Sequence, residues 1–479
     1  MASDRKGESM RAVKLGAALL LGASALVLGA ASSADAAVPD VIVVGGPAAV
    51  SNGVVGHLES CTSGVVERRA GADRFATAAT LSEGFTGVDT VFIATGANYP
   101  DAVTAGSPAA LKNAPILLTN HDTIPGSTWS ALDRLAPSEI VLLGGTSVIS
   151  DRVEDLLRDR FASVLRLGGA DRYETSSMIS AWAFPDPADV DTVYVADGSS
   201  YADAIVGGSP ATRDGAPVLL IARDHVPTAA SDEIERLDPD TIVIVGGQGG
   251  IGAAVENELT RYTPNVRRMM GASRWATAAN AAKASPPAGS LFIVTGDDFP
   301  DGLAALPAAN GAPILLVRAT EVHSVTGDAI SRRTGGDCGP WTPPYPQVGS
   351  GKRVIYSLSE HQLWMVDEHE QLVDTYPVTG RVGIPHPGTY EVFSKSIKAY
   401  APYGGITMDH MVRFVRPYTW GNQWSYGFHS IPRYANGVPL QTVDELGGYG
   451  SGGCVRQSAD KAEAMYAWAD IGTTVIVLP

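Results

Sequence analysis

Short runs of consecutive apolar residues, each ending in small or turn-forming residues, recur along the first two thirds of the chain. Thr90 to Gly96, Pro115 to Leu118 and Ile140 to Gly145 form one such set. They are not alternately polar, so they suit strands buried on both faces, as in a parallel sheet. Between such runs lie Ala/Leu/Glu-rich stretches at helical spacing, for example Asp151 to Phe161 and Ala230 to Leu237. Alternating strand and helix predicts α/β layered units. After Gly351 the pattern changes to strands: Arg353 to Leu358 and Gln362 to Val366 flank a polar turn, and Gln371 to Val378, Thr389 to Phe393, Met411 to Val415 and Thr474 to Leu478 follow. Only Asp460 to Ala469 has helical spacing there, so the last part reads as mostly β, sheet-on-sheet or barrel-like.

The α/β part repeats. Gly71-Ala72-Asp73-Arg74-Phe75 recurs as Gly169-Ala170-Asp171-Arg172-Tyr173 and as Gly271-Ala272-Ser273-Arg274-Trp275. Tyr99-Pro100-Asp101-Ala102 recurs as Tyr201-Ala202-Asp203-Ala204 and Phe299-Pro300-Asp301-Gly302. Gly-Gly pairs begin at 45, 144 and 246, and copies are spaced by 96 to 102 residues. The third copy stops after Ile314 to Val317, while the chain offers a strand, Val41 to Gly46, with no unit before it. That strand is expected to complete the third unit and close a three-unit ring, since an unpaired apolar edge is an aggregation liability. The alternative is three beads with a spare strand.

Residues 321–350, rich in Gly and Pro from Thr334 to Pro346, read as a semi-rigid linker. Residues 1–36 read as a secretory signal peptide: Arg5, Lys6, Arg11 and Lys14 are basic, Leu15 to Ala30 is apolar, and Ala34-Asp35-Ala36 is a small-x-small cleavage site. A retained membrane anchor is the alternative, against which the apolar run is short. The expected segments are therefore 1–36, 37–320, 321–350 and 351–479, with the mature chain secreted and outside the membrane.

The 479 residues carry a net charge of -16, which argues against general nucleic-acid binding. Residues 351–479 hold 10 Lys and Arg against 12 Asp and Glu, so the acidity lies upstream. Of three cysteines, Cys61 and Cys338 are the economical disulfide, leaving Cys454 free; all three reduced is the alternative. Cys454 follows Ser451-Gly452-Gly453 and precedes Val455-Arg456, and a histidine stands upstream in Gly427-Phe428-His429-Ser430. A cysteine nucleophile needs a base to form its thiolate, and glycines let backbone amides approach a reacting carbonyl. The bland readings are a small buried hydrophobe and a satisfied core histidine. His410 and His386 are alternative bases. Tyr418, Trp420, Trp424 and Tyr426 are core or groove. No cofactor is expected, and no close His/Cys pair or Cys-x-x-Cys suggests a metal.

The repeat motifs make residues from about 41 to 320 similar to three copies of the cell wall binding repeat type 2. The resemblance implies noncovalent attachment to an anionic secondary polymer in a Gram-positive-type wall. Arg74, Arg172 and Arg274 are then the recurring cationic candidates; internal pairing with Asp73, Asp171 or a later Asp is the alternative. The opening strand pair, the strand end at Val378-Thr379-Gly380, Pro385-His386-Pro387-Gly388-Thr389-Tyr390, and the His429 and Cys454 motifs resemble the L,D-transpeptidase (YkuD) catalytic domain. That resemblance implies Cys454 as nucleophile, His429 as base, Ser430 in support, Gly453 in the tight turn, the Cys454 amide as oxyanion donor, and Arg456 in substrate or structural support. It implies peptidoglycan stem peptides as substrate and 3→3 cross-linking through a thioester with release of D-alanine. An L,D-carboxypeptidase, a non-catalytic envelope protein, and a Cys/His amidase or endopeptidase are the alternatives. The sequence departs from the family at Gly452, where a histidine is usual, and in the 25-residue step from His429 to Cys454, whose extra length is expected in Arg433 to Leu446, shaping the acceptor side.

Overall fold

The computed structural model describes residues 41–286, 289–368, 370–401, 404–419 and 423–479. The expected leader, 1–36, lies outside the described residues. No helix among them is long and apolar enough to cross a membrane.

The described residues open with β1 (Val41–Val44), α1 (Asn52–Cys61), β2 (Val66–Arg69) and α2 (Arg74–Leu81). The first full unit follows as β3 (Thr90–Thr95), α3 (Gly106–Leu111), β4 (Ile116–Thr119), α4 (Gly126–Leu135), β5 (Glu139–Leu143), α5 (Asp151–Arg158) and β6 (Ser163–Leu167). After α6 (Arg172–Ala183) the second runs through β7 (Thr192–Asp197), α7 (Tyr201–Arg213), β8 (Val218–Ile221), α8 (Thr228–Leu237), β9 (Thr241–Val245), α9 (Ala253–Leu259) and β10 (Val266–Met269). The third has α10 (Arg274–Lys283), β11 (Leu291–Thr295), α11 (Pro300–Ala309), β12 (Ile314–Val317) and α12 (Ser324–Thr334).

The sheet orders are β4-β3-β5-β6, β8-β7-β9-β10 and β12-β11-β1-β2, all parallel. The first strand thus pairs with β11, Val41 opposite Leu291, and supplies what the third copy lacks, as expected for a closed ring. All four β1 side chains are buried, so leaving it unpaired would expose an apolar edge. The repeat motifs explain the closure at atomic scale. In each unit the first glycine of the Gly-Gly pair has positive φ, and the aspartate of the Pro-Asp motif closes on it: Asp101 on Gly144, Asp203 on Gly246, and Asp301 on Gly45. The last contact joins residues 256 positions apart (301 − 45) yet copies the two local ones. Burial raises all three carboxyls, Asp203 and Asp301 to about 6.

Near the pseudo-threefold centre α3, α7 and α11 pack on one another, and glycines permit their approach. A Cβ at Gly302 would lie 2.7 Å from Ile205 Cδ1, and one at Gly208 2.4 Å from Leu306 Cδ2. Tyr99, Tyr201 and Phe299, one from each unit, meet with ring centroids 5.5 to 6.2 Å apart. The edge strands β2, β6 and β10 are charged and partly exposed, which hid them in the sequence. Each carries an arginine, Arg68, Arg166 or Arg268, whose guanidinium donates to the carbonyl of that positive-φ glycine.

The expected linker is not a free spacer. Its first part is α12, which has the place in unit three that α4 and α8 have in theirs: Thr326 Oγ1 donates to Leu316 O as Thr128 Oγ1 does to Leu118 O. Beyond it Cys338 is disulfide-bonded to Cys61 on α1, and Trp341 pairs with Val322 and stacks on His57. The helical spacing of 324–334 was obscured by its many polar residues and the Gly/Pro-rich stretch after it.

The C-terminal part comprises β13 (Arg353–Ser357), β14 (Gln362–Val366), β15 (Leu372–Pro377), β16 (Gly388–Glu391), β17 (Ser394–Tyr400), β18 (Thr407–Val415), β19 (Tyr426–Ser430), β20 (Val455–Gln457), α13 (Ala459–Trp468) and β21 (Thr474–Leu478). Two sheets, β15-β14-β13-β21-β16 and β17-β18-β19-β20, enclose a core that includes Tyr356, Met365, Phe414 and Phe428. Arg353, 1% exposed, meets the Glu370 carboxylate at 2.8 Å, and Glu370 also accepts from the Gly351 amide, anchoring the start of this part. Strands β17, β19 and β20 were not foreseen. β17 is largely polar or exposed, β19 contains a glycine and a histidine, and β20 is three residues long.

Candidate active site

The second sheet builds the site by register. Antiparallel β18 places Arg413 opposite Gly427, and parallel β20 places Arg456 opposite His429. Gly427 and His429 are two apart, so their positions share one face of β19. Cys454 stands one step before Val455, which pairs with Phe428, and so falls in the row of Gly427. Arg413, Gly427 and Cys454 therefore form one row across the sheet, and His429 and Arg456 the next. Gly427 leaves no side chain between Arg413 and Cys454; a Cβ there would lie 2.2 Å from Val412 O.

This face floors a groove of about 600 Å³ lined by Cys454, His429 and Arg456, with apolar Ala399, Met408 and Met411 on one side. His429 is 3% exposed, and its Nδ1 lies 2.6 Å from Ser430 O. Since a carbonyl only accepts, Nδ1 carries the proton and Nε2 is left as the basic atom. Burial lowers the imidazole pKa to about 4, and the Arg456 and Arg413 charges add to the shift, against the raising effect of the Ser430 bond. Cys454 is the free cysteine and is partly exposed. Burial pushes its thiol up to about 11, opposed by a Gly427 backbone hydrogen bond and by Arg413 and Arg456. Thiol and imidazole are thus both neutral at pH 7. No hydrogen bond joins them among the described residues. Such bonds are often long before substrate is bound.

The turn before Cys454 explains its glycines unequally. Gly453 has φ +135°, and a Cβ there would lie 2.2 Å from Tyr426 Cε1, so a side chain is excluded twice. Gly452 faces open space, so the residue that departs from the family pattern is under no steric demand for glycine. Ser430 Oγ accepts from the Asp409 amide at 2.9 Å, tying β19 to β18. Arg456 Nη1 donates to Gln441 Oε1 at 2.8 Å, and Gln441 Nε2 donates to Thr379 Oγ1 at 3.0 Å. The long segment between His429 and Cys454 forms a rim: Pro432 and Leu440 line the groove, and the amides of Gly450 and Ser451 donate to Gly380 O.

His410 packs on Tyr466, and neither it nor His386 lines the groove. Tyr426 and Trp424 line it; Tyr418 is 79% exposed and does not, and Trp420 is outside the described residues. Arg381, Arg413, Gln441 and Tyr426 complete the surroundings. Of these, Arg413 was legible in principle from the alternation along β18; Arg381 and Gln441 sit on irregular segments with no such signal.

Arg74, Arg172 and Arg274 each donate to a carbonyl at the end of their unit's central strand: Gly96, Gly198 and Gly296. Arg74 also lies 3.4 Å from Asp298 of the third unit, a later aspartate. Asp73, Asp171 and Ser273 cap α2, α6 and α10 by accepting from their first-turn amides. The replacement of Asp by Ser in the third copy therefore keeps the cap.

The family model for cell wall binding domain 2 (CWB2) matches residues 68–154, 166–256 and 268–350, more than half of the chain. That for the L,D-transpeptidase catalytic domain (YkuD) matches 351–477. The chain is 28% identical over 246 residues to the N-acetylmuramoyl-L-alanine amidase LytC of Bacillus subtilis, covering 51% of this chain and 48% of that one. It is 29% identical over 223 residues to the amidase enhancer of the same organism, covering 46% and 30%. It thus spans half or less of the curated relatives it matches. Among solved structures, Cwp6 from Clostridium difficile superposes with a TM-score of 0.53 at 28% identity, over 61% of this chain and 51% of that one. The chain belongs to the cell wall binding domain 2 family, with three copies of that domain followed by an L,D-transpeptidase catalytic domain.

Proposed function

We propose that the protein is a secreted, wall-attached L,D-transpeptidase that joins peptidoglycan stems by 3→3 cross-links. The observation that carries this reading is one groove lined by a free cysteine and by a buried histidine whose tautomer leaves Nε2 as the base. In the proposed reaction His429 Nε2 takes the Sγ proton as Cys454 attacks the carbonyl before the terminal D-alanine of a tetrapeptide stem. With both groups neutral at rest, proton transfer accompanies attack. Backbone amides at the Gly453–Cys454 turn stabilise the tetrahedral oxyanion. The imidazolium then protonates the leaving D-alanine amine, and the C–N bond breaks to leave a Cys454 thioester. A side-chain amine of a second stem attacks the thioester, loses its proton to His429 and frees the thiol. Water in place of that amine gives L,D-carboxypeptidase action.

The test is the intact mass of the folded protein after incubation with a carbapenem. The wild type is expected to gain one adduct and Cys454→Ala none. A folded wild type with a free thiol and no adduct favours the non-catalytic wall-binding reading, which the absence of the motif histidine at Gly452 supports.

In this reading the ring holds the enzyme in the wall by binding an anionic polymer through Arg74, Arg172 and Arg274, raising the local concentration of stems. Arg74 is partly compensated by Asp298 at 3.4 Å, whereas Arg172 and Arg274 bond to carbonyls and have no ion pair among the described residues. Replacing all three by Gln is expected to reduce co-sedimentation with isolated walls several-fold, with the ring's melting transition as control. Undiminished sedimentation of a folded variant would remove these residues from polymer binding.

A further inference from the structure

The chain carries a net charge of -16, yet the groove is lined by three arginines, Arg381, Arg413 and Arg456, and by no carboxylate among the described residues. Each arginine is held by a neutral partner: Arg413 Nη1 donates to Ser396 Oγ at 3.0 Å, Arg456 Nη1 to Gln441 Oε1 at 2.8 Å, and Arg381 Nη1 to Gly452 O at 3.1 Å. No ion pair engages any of them among the described residues. Elsewhere in the molecule arginines do find carboxylates: Arg353 meets Glu370, Arg166 meets Glu154, Arg268 meets Glu256. A cluster of positioned, unneutralised guanidiniums is costly to assemble because the charges repel, and each retains free donors suited to carboxylate.

Their placement matters as much as their number. Arg413 and Arg456 stand on the strands either side of β19, in the rows of Cys454 and His429 respectively. Arg381 reaches the turn before Cys454 from the segment after β15. Charge is thus offered on more than one side of the nucleophile, while the remaining wall, with Ala399, Met408 and Met411, is apolar. A ligand carbonyl that reaches Cys454 therefore lies beside the rows that carry Arg413 and Arg456.

We propose that the groove selects an acyl-donor peptide whose carboxyl groups are free rather than amidated, with Arg413 and Arg381 as specificity residues. This rests on the transpeptidase reading of the same site and names its donor chemistry. A carboxamide in place of a carboxylate would keep shape but lose charge, leaving a guanidinium facing a neutral group.

The experiment measures binding in the Cys454→Ala protein, so that turnover is not required. Two synthetic tetrapeptide stems are compared by calorimetry, one with all carboxyls free and one with its side-chain carboxyls as carboxamides. The free-acid stem is expected to bind about tenfold or more tightly, the difference between a charge-assisted and a neutral hydrogen bond. Raising the ionic strength should narrow the gap. Arg413→Gln, and separately Arg381→Gln, in the same background should narrow it mainly by weakening the free-acid stem, and Arg413→Lys should restore part of it. Equal affinities for the two stems, tighter binding of the amidated one, or a preference unchanged in both Gln variants would overturn the proposal. Failure of the underlying catalytic reading is seen separately, as absence of the carbapenem adduct on the wild type.

Discussion

Replacing His429 by Gln is expected to slow acylation of Cys454 at pH 7 by about 10²–10⁴-fold and to change the shape of its pH profile. The thiol stands at about 11, so only about one molecule in 10⁴ carries the thiolate at neutral pH without help. On the proposed mechanism the wild-type imidazole, at about 4, is the proton acceptor. Below that pH it is protonated and cannot serve; above it the neutral base is fully present. The wild-type rate should therefore rise through about pH 4 and stay level across neutrality. In the variant no base remains, and the rate should follow the thiolate fraction, climbing about tenfold per pH unit towards 11. The measurement is the second-order rate of carbapenem adduct formation between pH 4 and 10. Parallel profiles for the two proteins would show that His429 is not the base.

Removing the Cys61–Cys338 disulfide should lower the unfolding transition of the ring while leaving the Cys454 groove intact. The bond spans 277 residues and ties α1, at the start of the ring, to the segment that leaves α12 at its end. Both ends of the closing unit are thereby held together: β1 and β2 complete the sheet from one side, β11 and β12 from the other. Chain-entropy reasoning puts the stabilisation for so long a loop at roughly 5–6 kcal/mol as a ceiling, with roughly 2–4 kcal/mol typical of measured cases. A Cys61→Ala, Cys338→Ala double variant, compared with wild type by thermal unfolding, should lose several degrees or more in the ring transition. Its carbapenem reactivity at low temperature should be unchanged. An unshifted transition would mean that packing of β1 on β11 alone holds the ring closed.

The repeat units were readable because their information is local and said three times. Buried parallel strands need unbroken apolar runs, and the Gly-Gly turn needs positive φ, so Ile140 to Gly145 and its copies stand out in any register. Even closure was legible, since a missing strand at one end and a spare one at the other leave one pairing that satisfies both. The edge strands were not, because half of each faces water and its residues, as in Val66–Arg69, are set by hydrogen bonds to a distant turn. In the catalytic part Cys454, His429, Ser430, Gly453 and Arg456 were picked out by resemblance, and the fold brings all five onto adjoining strands β19 and β20 or the turn that leads into β20, with Ser430 ending β19.

By itself, the sequence determined the order and type of the domains, the ring-closing strand, and which cysteine and histidine to consider. Burial and turn geometry constrain neighbouring residues directly, which made the units and the ring-closing strand legible, while the domain types and the roles of Cys454 and His429 came from resemblance to known families. Only the tertiary structure decided that Cys61 and Cys338 pair, that residues 324–334 belong to the third unit, and that Asp73 and Asp171 cap helices rather than hold Arg74 and Arg172. It alone decided that Arg413 shares a row with Cys454 across Gly427. Register between strands far apart in sequence depends on how two sheets pack as a whole, and no local pattern encodes which side chains that packing leaves facing one another.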